Sequence, residues 1–506
     1  MESKSKIKSL DELADLVAQA KAEGLHVAQC HGVFDLLHPG HIRHFEAARR
    51  IADVLVVTLT PDECVDKGPG RPVFNQRLRA ESIAALQAVD YVAVNNGPTA
   101  AEAIYKLRPD FYVKGQAGDP DAPADRIREE EDAVHSVGGQ IHFTDEITFS
   151  STNLLNSFFA VFSPEADDYL RRFRPQYNAE QVIERLKALR SLRVLVIGDI
   201  IIDEYHYCKA IGKSSKSATL TARFLSAERH AGGVLAVANH VAGFAGEVHL
   251  VTYLGDPVED EFFVRTHLKP AVQAHLVHQP GRPNVVKRRY VDPFQVSKMF
   301  EVLWLDGDEP LPEAQESLLA QLVDLAPKCD LAIVADFGHG NLGQRTIQWL
   351  TAQPLFLAVT TQTNSANAGY NLITKYPRAD YVCIDEQEMR LASHSRYGEL
   401  DTLTTQTAQR LGCEIASITL GSNGSLTWTS RCGSIRTPVF STDVIDSVGA
   451  GDAYLSVTSL CAGAGYAPEL IGFIGNCVGA LAVRIIGNRE SVDPEQLYRF
   501  ITTLLR

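Results

Sequence analysis

The sequence predicts an α/β protein of two doubly wound domains, and three observations predict it. Short runs rich in Val, Ile and Leu alternate with stretches of helical periodicity along most of the chain. The alternation breaks once, between about residues 160 and 192, and then restarts on a new strand. The chain has 506 residues, where one domain usually takes about 150.

The elements follow in order. Ser9 and Glu12 have the S-x-x-E spacing of a capping box. Leu13, Leu16, Val17 and Ala20 then recur on one helical face, and Gly24 is a natural stop. LHVAQC reads as a strand, HIRHFEAARRIA as a helix and DVLVVTL as a strand, which together make a βαβ unit. YVAV and FYVKG continue the series to about residue 145. SPEADDYLRRFRPQ mixes charge with two prolines, and AEQVIERLKALR has helical spacing through Val182, Ile183, Leu186 and Leu189. The strand-rich run RVLVIGDIIID opens a second series that includes VHLVTYLG, LAIVADF, YVCID and ASITLG. The expected organisation is a first domain over 1–160, a linker and entry helix over 161–190, and a second domain over 191–506.

Composition excludes several classes. Hydrophobic residues at 45% and charged residues at 22% exclude wholesale disorder. A net charge of −14 argues against a nucleic-acid binder, which usually carries a basic field. The nine cysteines never fall in C-x-x-C, so reduced, mostly buried thiols are expected. MESKSKIKSLDE lacks the apolar stretch of a signal peptide, and no apolar run approaches the ~18 residues of a membrane span. The expectation is a cytoplasmic protein with no membrane and no nucleic-acid partner.

Two motifs carry chemistry. Residues 32–41, GVFDLLHPGH, follow a strand and open a helix, so His38 and His41 sit where free N–H groups and partial positive charge attract a triphosphate. Gly40 lets backbone approach the phosphates. Donors there would stabilise charge on an α-phosphate and a departing pyrophosphate. The plainer alternative is a loop with two incidental histidines. Asp35 beside them suits a brace for the turn. The second motif is DSVGAGD at 446–452. Small residues Gly449, Ala450 and Gly451 leave backbone N–H groups open at a helix start, and Asp452 is placed to take a proton from a hydroxyl attacking a γ-phosphate.

With KGPGRPV, RAESIAALQAVD, YVKG and FSSTNLL downstream, the first motif resembles the cytidylyltransferase-like nucleotidyltransferases over about residues 7–157. It is most similar to the adenylyltransferase half of the bifunctional heptose-phosphate kinase/adenylyltransferases. The resemblance implies a Rossmann-like fold in which His38, His41 and Lys67 are catalytic. Gly32, Phe34, Gly40, Arg79, Ser150, Ser151 and Thr152 would bind the nucleotide. His31-Gly32-Val33 departs from the Asn-Gly-Cys usual there.

Over about residues 191–506, DSVGAGD together with GDIIIDEY, AGGVLAVANHVAGFAG, ADFGHGNL, DEQE and TLGSNGS resembles the ribokinase-type (PfkB) sugar kinases, with a small β lid. Asp452 would be the base and Gly449, Ala450 and Gly451 the anion hole. Thr419, Gly421, Gly424 and Asn476 would line the nucleotide side. Asp199, Gly232, Gly233, Asn239 and Lys298 would meet the sugar, and Glu388 would hold Mg²⁺ through water. Ala236 stands where G-G-x-x-N supplies an Asn, Asp385 replaces the Asn of N-x-x-E, and the kinase half comes second rather than first.

The resemblance implies ATP and Mg²⁺ for the kinase, ATP or CTP as nucleotidyl donor, and sugar phosphates as partners. It also implies a homodimer through paired lids. The implied function is phosphorylation of a sugar or sugar phosphate together with nucleotidyl transfer to a sugar 1-phosphate. The alternative is a CTP-dependent cytidylyltransferase for a polyol or amino-alcohol phosphate, fused to a non-catalytic sugar-kinase-like module.

Overall fold

The computed structural model describes residues 3–65, 72–115, 124–144, 163–257, 259–293, 297–305, 309–367, 369–441 and 444–506. The chain divides into two compact units, Met1–Ser163 and Pro164–Arg506.

The first unit is built on β1 (Val27–Gly32), β2 (Val54–Leu59), β3 (Tyr91–Val94), β4 (Phe111–Gly115) and β5 (Gln140–Thr144), in the order β3-β2-β1-β4-β5. All neighbouring pairs are parallel. Helix α1 (Leu10–Ala22) starts at the Ser9–Glu12 capping box and buries Leu10, Leu13 and Val17. These side chains pack with α4 (Ala101–Leu107) against one sheet face. The other face carries α2 (Pro39–Arg50), through Phe45 and Ala48, and α3 (Gln76–Ala84), through Ala80 and Ile83. Helix α5 (Ala124–Ser136) precedes β5. Strand order reverses between β1 and β4, so a crevice is expected at the carboxyl end of β1, where α2 begins.

The second unit opens with α6 (Pro164–Phe173) and α7 (Ala179–Ala188). Residues read from sequence as a linker and entry helix are here packed into the unit. Ala166, Tyr169, Leu170 and Phe173 lie on one face at i, i+3, i+4 and i+7 and are buried. Phe173 stacks on Phe473 at 4.4 Å between ring centroids.

Among the described residues nine strands form the main sheet, in the order β10-β9-β6-β13-β14-β15-β16-β17-β18, where β9 is Glu247–Asp256, β10 Val272–Pro283, β14 Phe356–Thr361, β17 Ser425–Thr429 and β18 Gly433–Thr437. Those used below are β6 (Arg193–Gly198), β13 (Leu331–Asp336), β15 (Tyr381–Asp385) and β16 (Ile415–Thr419). A separate four-stranded sheet has the order β12-β11-β7-β8 and comprises β7 (Ile200–Lys213), β8 (Leu220–Gly233), β11 (Val285–Asp292) and β12 (Ser297–Trp304). The run RVLVIGDIIID, legible as one strand-rich stretch, divides at Asp199: β6 is central in the large sheet, whereas β7 belongs to the small one.

Helix α8 (Val234–Phe244) follows β8 directly; α9 (Glu259–His267), α10 (Pro312–Leu325) and α11 (Gln344–Ala352) come next; α12 (Glu386–Ala392) follows β15 and precedes α13 (Leu400–Arg410); and α14 (Ala450–Gly463) and α15 (Pro468–Ala482) pack together. Residues such as Leu195, Val334, Leu357 and Ile418 form the core of this unit and are essentially inaccessible. Each such burial contributes roughly 1.5–3 kcal/mol.

Candidate functional sites

In the first unit, β1 delivers Gly32 and α2 begins at His38, which is the N-cap. Its Nδ1 accepts the Gly40 N–H at 3.1 Å. That bond fixes the tautomer, because an accepting Nδ1 leaves the proton on Nε2. Nε2 is buried with no partner among the described residues, and burial lowers the imidazole's proton affinity; with Nδ1 accepting, Nε2 is the donor. The His41 ring stacks on His38 at 3.8 Å between centroids, and Phe34 meets His41 edge-on at 5.2 Å. Phe34 holds a left-handed φ of 47°. A Cβ on Gly32 would press against its ring at 3.1 Å, which accounts for glycine there. Gly40 lies in the first turn of α2.

His31, in place of the usual Asn, is braced by Thr58 Oγ1 at 2.9 Å and Thr60 Oγ1 at 3.3 Å; burial pushes its pKa to about 4. Asp35 is buried and accepts the Phe74 N–H at 3.1 Å, as expected of a turn brace. Glu130 accepts from Lys114 Nζ at 2.7 Å, the Ala100 N–H at 3.0 Å and Tyr112 OH at 3.1 Å, which anchors the lysine of YVKG.

Arg79 departs from its expected phosphate grip. Its guanidinium is buried and donates to Val33 O (2.5 Å), Thr60 O (2.9 Å), Asp62 Oδ1 (2.6 Å) and Phe74 O (3.0 Å). It bolts together the loops around the helix start, and a planar fork with five donors suits that task. Lys67, Ser150, Ser151 and Thr152 lie outside the described residues.

The second unit encloses a cavity of about 830 Å³, within the range that holds small-molecule ligands. Gly449, Ala450, Gly451 and Asp452 all line it. Gly449 is the N-cap of α14 with φ +83°, and a side chain there would collide with Asn488 Oδ1. A Cβ on Gly451 would meet nothing within 4 Å, so the helix start opens on space. The Asp452 carboxylate makes no hydrogen bond among the described residues, and burial, then Asp203, raises its pKa to about 7.

Thr419, at the end of β16, and Gly421 and Gly424 of the following turn line the same cavity. So does Asn476, whose Nδ2 is committed to Ser425 Oγ at 2.6 Å and Gly472 O at 2.9 Å. Asp385 caps α12 and accepts the Glu388 N–H at 2.7 Å, while Glu388 Oε2 accepts the Asp385 N–H at 2.9 Å. An N-cap is served equally by Asp and Asn, so the departure from N-x-x-E keeps the local geometry. Burial, then Asp385, raises the Glu388 pKa to about 8; burial raises Asp385 as well.

On the small-sheet side, Asp203, Lys287, Arg289 and Asn488 line the cavity, together with Gly233. Arg289 Nη1 pairs with Asp203 Oδ1, and Asn488 Nδ2 donates to Asp203 Oδ2 at 3.1 Å. A side chain at Gly232 would strike that carboxylate, and one at Gly233 would strike Asp199 O.

Three expectations are corrected on this side. Asp199 is buried and does not line the cavity; its Oδ2 accepts the Phe337 N–H at 2.8 Å, and Asp203, four residues later on β7, is the acid that lines it. Asn239 is committed to His267 O and the Lys269 N–H, each at 2.8 Å. Lys298 donates to Asp446 Oδ1 at 2.8 Å instead of facing the cavity. Sequence reading missed Asn488, Lys287 and Arg289. For the last two, the available signal was the basic run 287–289 on a strand, whose first and third residues share a face, Lys287 in register with Asp203 and Arg289 with Tyr205.

These two glycine-assisted helix starts, one beside paired imidazoles and one beside a carboxylate, define a two-domain α/β protein built to hold anionic ligands. The comparisons divide the chain in the same way. Residues 30–157 match the cytidylyltransferase-like family and residues 346–495 match the pfkB family of carbohydrate kinases, so the chain joins a domain of each. It is similar to the bifunctional protein HldE of Syntrophotalea carbinolica (37% identity, 30% of each chain) and of Bradyrhizobium sp. (41% identity, 28% of this chain and 29% of that one). It is also similar to HldE of Trichlorobacter lovleyi, with 34% identity over 32% of this chain and 33% of that one. The chain thus spans about a third of the length of these relatives. Phosphofructokinase-2 of Escherichia coli, solved with substrates and products, superposes over 62% of this chain and all of its own (TM-score 0.50, 13% identity), a likeness of fold. Among the described residues, no helix is long and apolar enough to cross a membrane.

Proposed function

We propose that this chain is a bifunctional sugar-activating enzyme. Its second domain transfers the γ-phosphoryl group of ATP to a sugar or sugar phosphate of the heptose 7-phosphate kind. Its first domain joins a sugar 1-phosphate to a nucleoside triphosphate and releases pyrophosphate. The observation that carries the reading is Asp452, a carboxylate with no hydrogen bond among the described residues, beside the open Gly449–Gly451 helix start in one cavity.

In the kinase, Asp452 accepts the proton of the attacking hydroxyl, and the N–H groups of the helix start face the phosphates. Asp203, held by Arg289 and Asn488, orients the acceptor in place of Asp199. Thr419, Gly421, Gly424 and Oδ1 of Asn476 face the nucleotide. Magnesium fits this donor set: Asp385 and Glu388 are two neighbouring carboxylates whose pKa values burial raises, and a bound cation relieves their repulsion. Its chemistry there is neutralisation of phosphate charge.

In the first domain, His38 Nε2–H and the α2 N-terminus meet the α-phosphate, with His41 stacked alongside. Lys67, Ser150, Ser151 and Thr152 complete the set on the family resemblance. The non-catalytic alternative for the second domain rested on Ala236 and Asp385. Ala236 is buried in α8, Asp385 caps a helix, and Asn488 supplies an amide to the sugar acid. The homodimer belongs to the same proposal, supported by a row of rings across the small sheet, Phe224–His206–Tyr290–Phe300, with Phe224 and Phe300 exposed.

The test is a matrix of sugar phosphates against ATP and CTP, read by phosphorylated product and by pyrophosphate release. Both products from heptose phosphates support the proposal. Pyrophosphate from CTP and a polyol phosphate alone favours the other branch.

A further inference from the structure

Basic side chains around the kinase cavity are paired. Arg288 bonds Glu204, Arg289 bonds Asp203 and Glu301, Lys298 bonds Asp446 and Lys375 bonds Asp336. Lys287 differs. It lines the cavity and is 8% exposed, yet among the described residues it has neither a hydrogen bond nor an ion pair. An ammonium removed from water without a partner costs several kcal/mol, so a chain that keeps one there has an anion to set against it.

The strand register shows where that anion belongs. Lys287 on β11 lies directly opposite Asp203 on β7, so the two side chains leave the sheet on the same face. The charged and titratable groups facing it are Asp203, Arg289, Glu301, Asp452 and His339. It therefore shares the cavity with the carboxylate that orients the acceptor and the carboxylate that takes its proton, and its charge acts on both.

We infer that Lys287 is a catalytic residue of the kinase reaction, its ammonium contacting the phosphoryl group in flight. The inference rests on the kinase reading above. In the step it serves, the acceptor oxygen bonds to the γ-phosphorus as the bond from that phosphorus to the β,γ-bridging oxygen breaks. The electron pair of the broken bond leaves with ADP, and the hydroxyl proton passes to Asp452. Negative charge on the equatorial oxygens then lies beside Lys287, opposite the N–H groups at Gly449–Gly451, so the group is held from two sides.

The test uses the full chain and two variants, Lys287→Met and Lys287→Arg, each checked for an unchanged thermal transition. With ATP, Mg²⁺ and heptose 7-phosphate, Lys287→Met is expected to lower kcat about 10²-fold, with KM for ATP changed far less, and Lys287→Arg to restore part of the loss. A second readout needs no acceptor. Calorimetry with ADP and Mg²⁺, with and without fluoroaluminate as the phosphoryl mimic, should show tighter binding with the mimic for the native chain and loss of that preference in Lys287→Met. A methionine variant that keeps both kcat and the fluoroaluminate preference overturns the role of Lys287 while leaving the kinase reading intact. A native chain that neither transfers phosphate nor prefers the mimic overturns both.

Discussion

Lys298 and Asp446 are joined by an ion pair of 2.8 Å that ties β12 of the small sheet to the loop opening onto Gly449. Asp446 is nearly inaccessible and also accepts from Tyr205 OH at 2.8 Å, the Gly487 N–H at 2.9 Å and the Val448 N–H at 3.2 Å. One carboxylate thus fixes two strands of the small sheet and the approach to the anion hole. Lys298→Met leaves it short of a partner and should cost about 1–3 kcal/mol in denaturant unfolding. Kinase kcat should fall with it, whereas pyrophosphate release by the first domain should not change.

The raised pKa of Asp452, about 7, gives a pH profile with a definite sign. A base works only when deprotonated, so kinase kcat should fall roughly tenfold for each pH unit below about 7. Stability runs the other way. The folded chain holds this proton more tightly than the unfolded one, so the group favours folding below its unfolded pKa, and that contribution is lost as pH rises through about 7. Asp452→Asn should accordingly raise the thermal transition at pH 8.

His38 performs two tasks through two nitrogens, and substitution can separate them. His38→Asn keeps a side-chain cap for α2 but removes the Nε2 donor. Pyrophosphate release should drop about 10²-fold with the unfolding midpoint little changed. Native pyrophosphate release in His38→Asn, with His38→Ala losing stability alone, would mark a cap only.

Arg79 serves as a bolt, which predicts a loss of stability and no selective loss of phosphate affinity. In Arg79→Lys, one ammonium cannot reach three carbonyl groups and Asp62 together. The first domain should lose about 3–5 kcal/mol in urea unfolding. A stable variant whose only defect is a raised KM for the triphosphate would restore the phosphate grip.

What was legible in the sequence was local. The Ser9–Glu12 box, the βαβ alternation and the two glycine-assisted helix starts depend on residues a few positions apart, and all of them form. Misreadings came where partners lie far along the chain. Asp199 and Asp203 are equivalent in a linear reading, and only the transfer of the chain between sheets at residue 199 decides which one meets the cavity. Asn488, 285 positions from Asp203, brings its amide to that carboxylate from the far end of the chain. Arg79 looked free because the carbonyl groups it holds sit on other loops. Lys287 is one lysine among many until β11 is registered against β7.

The most direct measurement assays Asp452→Asn in the full chain for both reactions at once. Kinase turnover with ATP and heptose 7-phosphate should fall to background, while pyrophosphate release from sugar 1-phosphate and nucleoside triphosphate stays within about twofold of the native rate, since the two helix starts belong to separate units. Phosphoryl transfer that survives the substitution would contradict the assignment of the base, and loss of both reactions in a folded chain would contradict two independent sites.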